Sequence, residues 1–395
     1  MNKLGLYIHI PFCETKCPYC DFNTYSGIEN LIPQYIESLK NELSFWGSKI
    51  RDKYLIDTIF LGGGTPSYLP SNHLTSIDQQ IVNSLRLDDD LEFTMEVNPG
   101  DLIASRLNNT HDTHINRLSI GVQSLDDSVL KVIGRRHTAD DASKAFHIAR
   151  QLGFKNISID LMYGIPYQTM AQWEETVQKS IKLNPEHISA YCLTLEEGTP
   201  MEHQVRLGTL PEPNADLAAD MYTAAGKILA EAGYINYEIS NWSQLGMESK
   251  HNLRYWLNDE YIGIGPGAHS YLQSLRFYNL KSPRQYIEIL QELVNVDVSL
   301  DDLSENLHVL PFISGYEHID KQTSIIESIM LGLRLSRGVS KRRFRKEFGM
   351  DIKDMFPNQI TSLTSAYLIE DTGDYIRLTH DAKLLANEVI IKFLE

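Results

Sequence analysis

Cysteine is scarce here: the chain has 4 in 395 residues, and three of them lie between positions 13 and 20. A disulfide framework belongs to secreted chains, and nothing in the sequence marks secretion. The opening apolar run stops at Pro11, too early for a secretory leader, so a cytoplasmic protein is expected. There is no apolar run of about 18 residues, which argues against a transmembrane helix and leaves at most peripheral membrane association. Positive charge is also short. Lys and Arg number 36 against 52 Asp and Glu, a formal net charge of −16. A surface of that sign disfavours nonspecific binding to nucleic acid or anionic lipid, and no nucleic-acid partner is expected. The local exception, Lys341-Arg342-Arg343-Phe344-Arg345-Lys346, reads as a solvated helix face. Hydrophobic residues make up 42%, enough for a globular core spread over one large domain and one or two smaller ones.

The most informative stretch runs from Tyr7 to Phe22. A β-branched apolar run, Leu4 to Ile10, reads as a buried strand that empties at Pro11 into a loop. That loop carries Cys13, Cys17 and Cys20 in the spacing C-x3-C-x2-C. Structural zinc wants four ligands, usually as paired knuckles. Here there is one group of three, and Cys192 lies far off in an apolar run. A [4Fe-4S] cluster fits better, because three irons take thiolates and the fourth stays open for a small molecule. A partial zinc knuckle or three unligated cysteines are the alternatives.

With Tyr19 just before the last cysteine, the motif resembles that of the radical S-adenosylmethionine (SAM) superfamily. The resemblance implies that the open iron chelates the amino and carboxylate groups of SAM. One electron then cleaves SAM to methionine and a 5′-deoxyadenosyl radical, while the protein excludes water and oxygen.

Further along, residues 29–53 carry Ile32, Tyr35, Ile36, Leu39, Leu43 and Trp46 at helical spacing. A short strand over 57–61 runs into Gly62-Gly63-Gly64-Thr65-Pro66-Ser67. Consecutive glycines there are expected to let the backbone approach a ligand and to expose N–H donors. The run resembles the superfamily's GGE-like motif, which implies backbone contact with the SAM amino group. Strands follow at 92–99, 117–124, 157–164 and 187–195, with helices around 140–152 and 170–183. Strand–helix alternation predicts repeated βα units and a parallel sheet. A closed eight-fold barrel needs about 250 residues. Six units ending near residue 195 fit an α/β fold with a partial (βα)6 barrel, as the radical SAM resemblance also implies. Glu96, Gln123 and Asp160 sit at strand C-terminal ends, where α/β barrels place their active sites, and Arg135 follows closely. Two carboxylates, an amide and a guanidinium suit ribose hydroxyls, an adenine edge and a methionine carboxylate.

GVQS followed by GRRH, with the EVNP and IDLMYGIP strands, resembles the oxygen-independent coproporphyrinogen III oxidase family from Tyr7 to beyond residue 280. That resemblance implies SAM contacts at Tyr7, Gly63, Gly64, Thr65, Glu96, Gln123, Arg135 and Asp160, and at Tyr19 beside a second SAM. Two departures from the oxidases stand out. Phe22 occupies the place of their additional cysteine, and the first cysteine is already residue 13, without their long leading segment. Both resemble the haem-chaperone branch of the family. So does His251-Asn252-Leu253-Arg254-Tyr255-Trp256, an H-N-x-x-Y-W motif that the resemblance associates with haem. His251 would supply an axial imidazole, Tyr255 and Trp256 flat apolar surface, and Asn252 would orient the ring or cap a turn. The plain alternative is a packing histidine. His269 is a secondary ligand candidate.

Around that motif, 199–213 reads as a loop and 214–232 as a helix capped by Asn214 and ended by Gly233. Alternating glycines over 261–270 predict a strand and tight turn. From residue 320 the pattern is helical, then a hairpin turns at Asp371–Asp374, then a last helix covers 381–394; this resembles a winged helix. The expected units are therefore 1–200 (barrel), 201–319 (an extension closing it) and 320–395 (a winged-helix-like α+β domain). The implied function is a haem chaperone holding a [4Fe-4S] cluster and SAM and delivering haem to apo-haemoproteins such as respiratory enzymes, with room for a homodimer. The alternative is oxidative decarboxylation of coproporphyrinogen III. SAM cleavage is left open, and no catalytic residue is assigned.

Overall fold

The structure, a computed structural model, describes residues 1–101, 113–292 and 298–394. Six strands run parallel and adjacent in chain order: β1 (Asn2–Ile10), β2 (Tyr54–Gly63), β3 (Leu87–Val97), β4 (Arg117–Gln123), β5 (Asn156–Tyr163) and β6 (His187–Cys192). Leu4, Leu6, Ile8 and Ile10 are buried on one face of β1. In the helix Ile32–Ile50, Tyr35, Ile36, Leu39, Leu43 and Trp46 are likewise buried, the stripe its periodicity predicts. The helices Ala139–Gln151 and Met170–Lys182 each start at a threonine capping box, Thr138 with Asp141 and Thr169 with Gln172. β3 begins at Leu87, five residues before the apolar run suggests. Its acidic start is offset by Lys3, 3.1 Å from Asp88, and Lys250, 2.6 Å from Asp90.

Residues beyond 200 extend the same sheet at both edges. β8 (Asn241–Ser243) pairs antiparallel with β6, and β7 (Ile235–Glu238) lies outside it. On the other edge β9 (Tyr261–Ile264) is parallel to β1. β10 (His269–Leu272), β11 (Leu275–Asn279) and β12 (Ile313–His318) then continue antiparallel. One apolar core reaches from Leu4 to Phe312. The stretch expected as a loop at 199–213 contains the helix Pro200–Arg206. Thr199 accepts the Glu202 N–H, and Pro200 sits at a first-turn position where a missing N–H costs nothing. The helix Ala215–Glu231 is capped by Asn214 as its sequence suggests. Glu42, fully buried, ties the first helix to the extension. It accepts from Gly265 N at 2.9 Å, Asn279 Nδ2 at 2.7 Å and the Tyr286 hydroxyl at 2.5 Å. Burial pushes its carboxyl up to about 7 against these donors.

The C-terminal segment has a separate core. Its order is helix Lys321–Gly332, β13 (Val339–Ser340), helices Lys341–Phe348, Ile352–Met355 and Pro357–Ser365, then the hairpin β14 (Ile369–Asp371) and β15 (Tyr375–Leu378). The antiparallel order β13-β15-β14 completes a winged-helix arrangement. The end is a 3-10 turn, Asp381–Leu385, and a short helix, Ala386–Ile391, in place of one continuous helix. The basic run is not simply a solvated face. Lys341 is buried against Asp371, Arg343 lies 2.8 Å from Asp259, and Arg345 lies 3.5 Å from Asp351. Among the described residues no helix is long and apolar enough to cross a membrane.

Replacing Glu42 by Ala leaves the buried Gly265 N–H and Tyr286 hydroxyl unpaired and removes one of the two bonds of Asn279 Nδ2. The expected loss is about 3 kcal/mol of stability, seen as a lower denaturant midpoint by far-UV circular dichroism. An unchanged midpoint would remove Glu42 from its clamping role.

Candidate functional site

The inner face of the six parallel strands surrounds a cavity of about 550 Å³. Period-2 alternation decides what faces it: Tyr7 from β1, Phe60 from β2, Glu96 from β3, Ser119 and Gln123 from β4, Asp160 from β5 and Ser189 from β6. Cys13, Cys17 and Cys20 line its upper end, on the loop after β1, and none of the three is in a disulfide. The loop is closed by backbone bonds from Cys13 N to Tyr25 O (2.9 Å) and Tyr25 N to Pro11 O (2.8 Å).

The glycine run at the end of β2 packs against this loop. Gly64 N donates to Ile10 O at 2.7 Å, and Thr65 N to Phe12 O at 2.8 Å. A Cβ on Gly64 would lie 2.7 Å from both those carbonyls and 3.1 Å from Cys13 Sγ. Gly63 has φ +106°, and its N–H donates to Glu96 Oε2 at 2.9 Å. The N–H groups expected to be free for a ligand are thus taken up inside the protein. What the glycines provide is close approach of backbone to the cysteine loop.

Donors aim at two sulfurs: Thr65 Oγ1 at Cys13 and Arg135 Nη1 at Cys17, each at 3.5 Å. Such donors suit thiolates bound to iron. Among the described residues no three His, Cys, Asp or Glu side chains converge on one point. The three sulfurs instead share the rim of one cavity, as a larger cluster needs.

All nine residues expected to touch SAM line this cavity: Tyr7, Tyr19, Gly63, Gly64, Thr65, Glu96, Gln123, Arg135 and Asp160. Arg135 Nη2 donates to Asn98 Oδ1 and Gly121 O, both at 2.7 Å. Burial, and then the charge of Asp160, raise the Glu96 carboxyl to about 7. Gln123 closes β4 at φ +65°, a left-handed conformation that non-glycine residues adopt rarely and often at functional sites. Asp160 accepts from Ser119 and Ser189 at 2.7 Å and from Ser158 at 3.1 Å. These serines and Asn98 escape the sequence reading. Their only signal is alternation along strands, which small polar residues carry weakly.

The helix Lys250–Trp256 closes the opposite, lower end. Glu92 accepts the N–H groups of Lys250 and His251, both at 3.0 Å, and Ser249 caps the helix. Arg254 is buried against Asp57. His251, Asn252 and Tyr255 line the cavity that holds the cysteines. The His251 ring is buried, stacks on Phe60 at 5.4 Å, and bonds Thr58 Oγ1 (3.0 Å) and the Tyr255 hydroxyl (2.9 Å). Burial, with the charges of Arg254 and Arg117, lowers its pKa to about 3. Trp256 faces away, into a second cavity of about 210 Å³ against Phe344, Phe348 and Tyr375 of the C-terminal domain. His269 is exposed on β10, stacked on Tyr278 and outside the main cavity.

Comparison with known proteins agrees. The family model described as the radical SAM superfamily matches residues 7–179, and that of the HemN C-terminal domain matches residues 319–385. "Heme chaperone HemW" of Bacillus subtilis (strain 168) is 38% identical over 389 residues, covering 98% of each chain. The protein of that name from Lactococcus lactis subsp. lactis (strain IL1403) is 37% identical over 98% of this chain and 96% of its own. The solved HemN coproporphyrinogen III oxidase from Escherichia coli superposes with a TM-score of 0.82 over 99% of this chain and 90% of its own, at 20% identity, a likeness of fold. Parallel half-barrel and three-cysteine cavity together define a radical SAM protein, for which the superfamily match implies a [4Fe-4S] cluster and SAM. Within that class, the chain belongs to the HemW family.

Two outcomes follow from this geometry. Arg135→Gln removes a charged donor from Cys17 and is expected to leave iron content intact while making the reconstituted cluster's reduction potential more negative; an unchanged potential would dismiss the contact. His251 is held neutral when folded and protonates near 6.5 when unfolded, so it lowers stability as pH falls below about 6.5. His251→Gln should therefore flatten the loss of stability between about pH 6.5 and 4, measured by denaturant midpoints. A profile parallel to wild type would contradict the shift.

Proposed function

We propose that this chain is a haem chaperone that carries a [4Fe-4S] cluster and SAM in the upper end of its barrel and takes haem as cargo. The observation that supports it most is the shared cavity: the helix bearing His251, Asn252 and Tyr255 forms the floor of the space whose rim carries the three cysteines. End-to-end similarity to relatives named heme chaperone adds weight. Cys13, Cys17 and Cys20 would hold the cluster, and Glu96, Gln123, Arg135 and Asp160 would position SAM. When bound, the cluster supplies an electron at the SAM sulfonium. The chain's own residues exclude water, hold charge and orient the ligand.

His251 suits iron because burial keeps its imidazole neutral, with the lone pair free of a proton. Ligation through Nε2 requires the Tyr255 hydroxyl to release it. Asn252 and Tyr255 flank the ring, while Trp256 would act from the neighbouring groove. Phe22 is 62% exposed at the cavity mouth, where the oxidases carry a further cysteine, and it cannot ligate a metal. Delivery would go to apo-haemoproteins such as respiratory enzymes, from the cytoplasm, by a monomer or homodimer with at most peripheral association with the membrane. Coproporphyrinogen decarboxylation has the shared fold and the SAM-contact set in its favour.

The test is an anaerobic haemin titration of cluster-reconstituted protein, followed at the Soret band. Saturable binding near one haem per chain is expected, with weaker binding or altered ligation in His251→Ala. Absence of saturable binding would sink the chaperone reading.

A further inference from the structure

Arg117 opens β4 and lines the lower part of the main cavity, yet it is only 2% exposed. Its Nη1 donates to Thr94 Oγ1 at 3.4 Å, and its Nε has no partner. No ion pair to it within 4 Å exists among the described residues. Buried guanidinium groups are otherwise paired, because the desolvation cost of a lone one is several kcal/mol. The same protein shows the ordinary solution nearby, where Arg254 is buried against Asp57.

The groups around Arg117 do not neutralise it. His187 bonds Ser158 through Nδ1 and the Tyr237 hydroxyl through Nε2, both at 2.8 Å. His187 and His251 are both held neutral chiefly by burial; the Arg117 charge comes next at His187, and follows that of Arg254 at His251. Asp160 feels that charge from beyond ion-pair distance, and its oxygens accept from three serine hydroxyls, not from the guanidinium. The floor therefore presents a cation with no ion-pair partner within 4 Å among the described residues, in the same cavity as the His251 imidazole, the Phe60 ring and the cysteine rim. A planar carboxylate matches a guanidinium fork through two parallel hydrogen bonds. A flat apolar ligand bearing a carboxylate would match the aromatic faces and the cation together.

We propose that Arg117 is the anchor for a propionate carboxylate of the haem, so that the barrel floor selects the acid-bearing edge of the cargo. This assignment rests on the haem-chaperone reading and deepens it. Metal ligation by His251 and carboxylate pairing by Arg117 would then act on one ligand from adjoining positions.

The experiment compares haemin with its dimethyl ester on full-length, cluster-reconstituted protein, by Soret titration, for wild type, Arg117→Gln and Arg117→Lys. Wild type should bind haemin roughly 30-fold or more tightly than the ester, the size of a lost buried charge pair. Arg117→Gln should abolish that preference, and Arg117→Lys should restore part of it. Equal affinity of wild type for acid and ester overturns the Arg117 assignment and leaves haem binding standing. A preference retained in Arg117→Gln overturns it as well. Failure of wild type to bind either porphyrin removes the haem reading and this assignment with it. Should Arg117→Gln not fold, the wild-type acid–ester comparison alone decides.

Discussion

Two backbone hydrogen bonds hold the site together: Gly64 N to Ile10 O, and Thr65 N to Phe12 O. They bind the ends of β1 and β2 at a separation that leaves no room for a Cβ on Gly64. The cysteine loop springs from that junction. Its register relative to Glu96, which accepts the Gly63 N–H, follows from the same junction. A side chain at Gly64 would push on Cys13 Sγ directly. The cysteine loop, the Glu96 carboxylate and the strand ends thus share one constraint, which is steric before it is electrostatic.

Below that junction the barrel interior is polar and mostly satisfied from within. Asp160 is held by serines on β4, β5 and β6, and the Ser158–His187–Tyr237 chain runs on to the backbone N–H of Ser249. Ser249 caps the helix that carries His251. Contiguous hydrogen bonds therefore run from Asp160 in the cavity wall to the cap of the helix at its floor. Fully satisfied buried networks rigidify their surroundings, which suits a scaffold that must keep a reactive centre apart from its cargo. Arg117 stands out against this background because none of the described residues forms an ion pair with it.

Much of the architecture was legible in the chain. The apolar stripe from Ile32 to Trp46 and the six β-rich runs carry strong periodicity, and their burial follows it. The cavity gathers Tyr7, Tyr19, Glu96, Gln123, Arg135 and Asp160 as the motifs imply. Weaker signals were misleading in physical ways. Pro200 suggests a loop but also starts helices, and the acidic run Asp88–Asp90 hides a strand that distant lysines stabilise. Trp256 and Tyr255 are neighbours in sequence, yet helical geometry turns them to different cavities.

What the sequence determined by itself is local: the spacing of three thiols, the glycines after β2, and the alternation that sends every second strand residue inward. These depend on bond geometry and short-range periodicity, so they are visible without the fold. Only the tertiary structure decided that His251 forms the floor of the cavity whose rim bears the cysteines, and that its ring nitrogens meet Thr58 and Tyr255. It also decided that Arg117 is buried with its Nε unpartnered and no ion pair among the described residues. Burial and pairing depend on residues more than a hundred positions apart in the chain, Thr58 and His251 among them, and no local pattern encodes that distance.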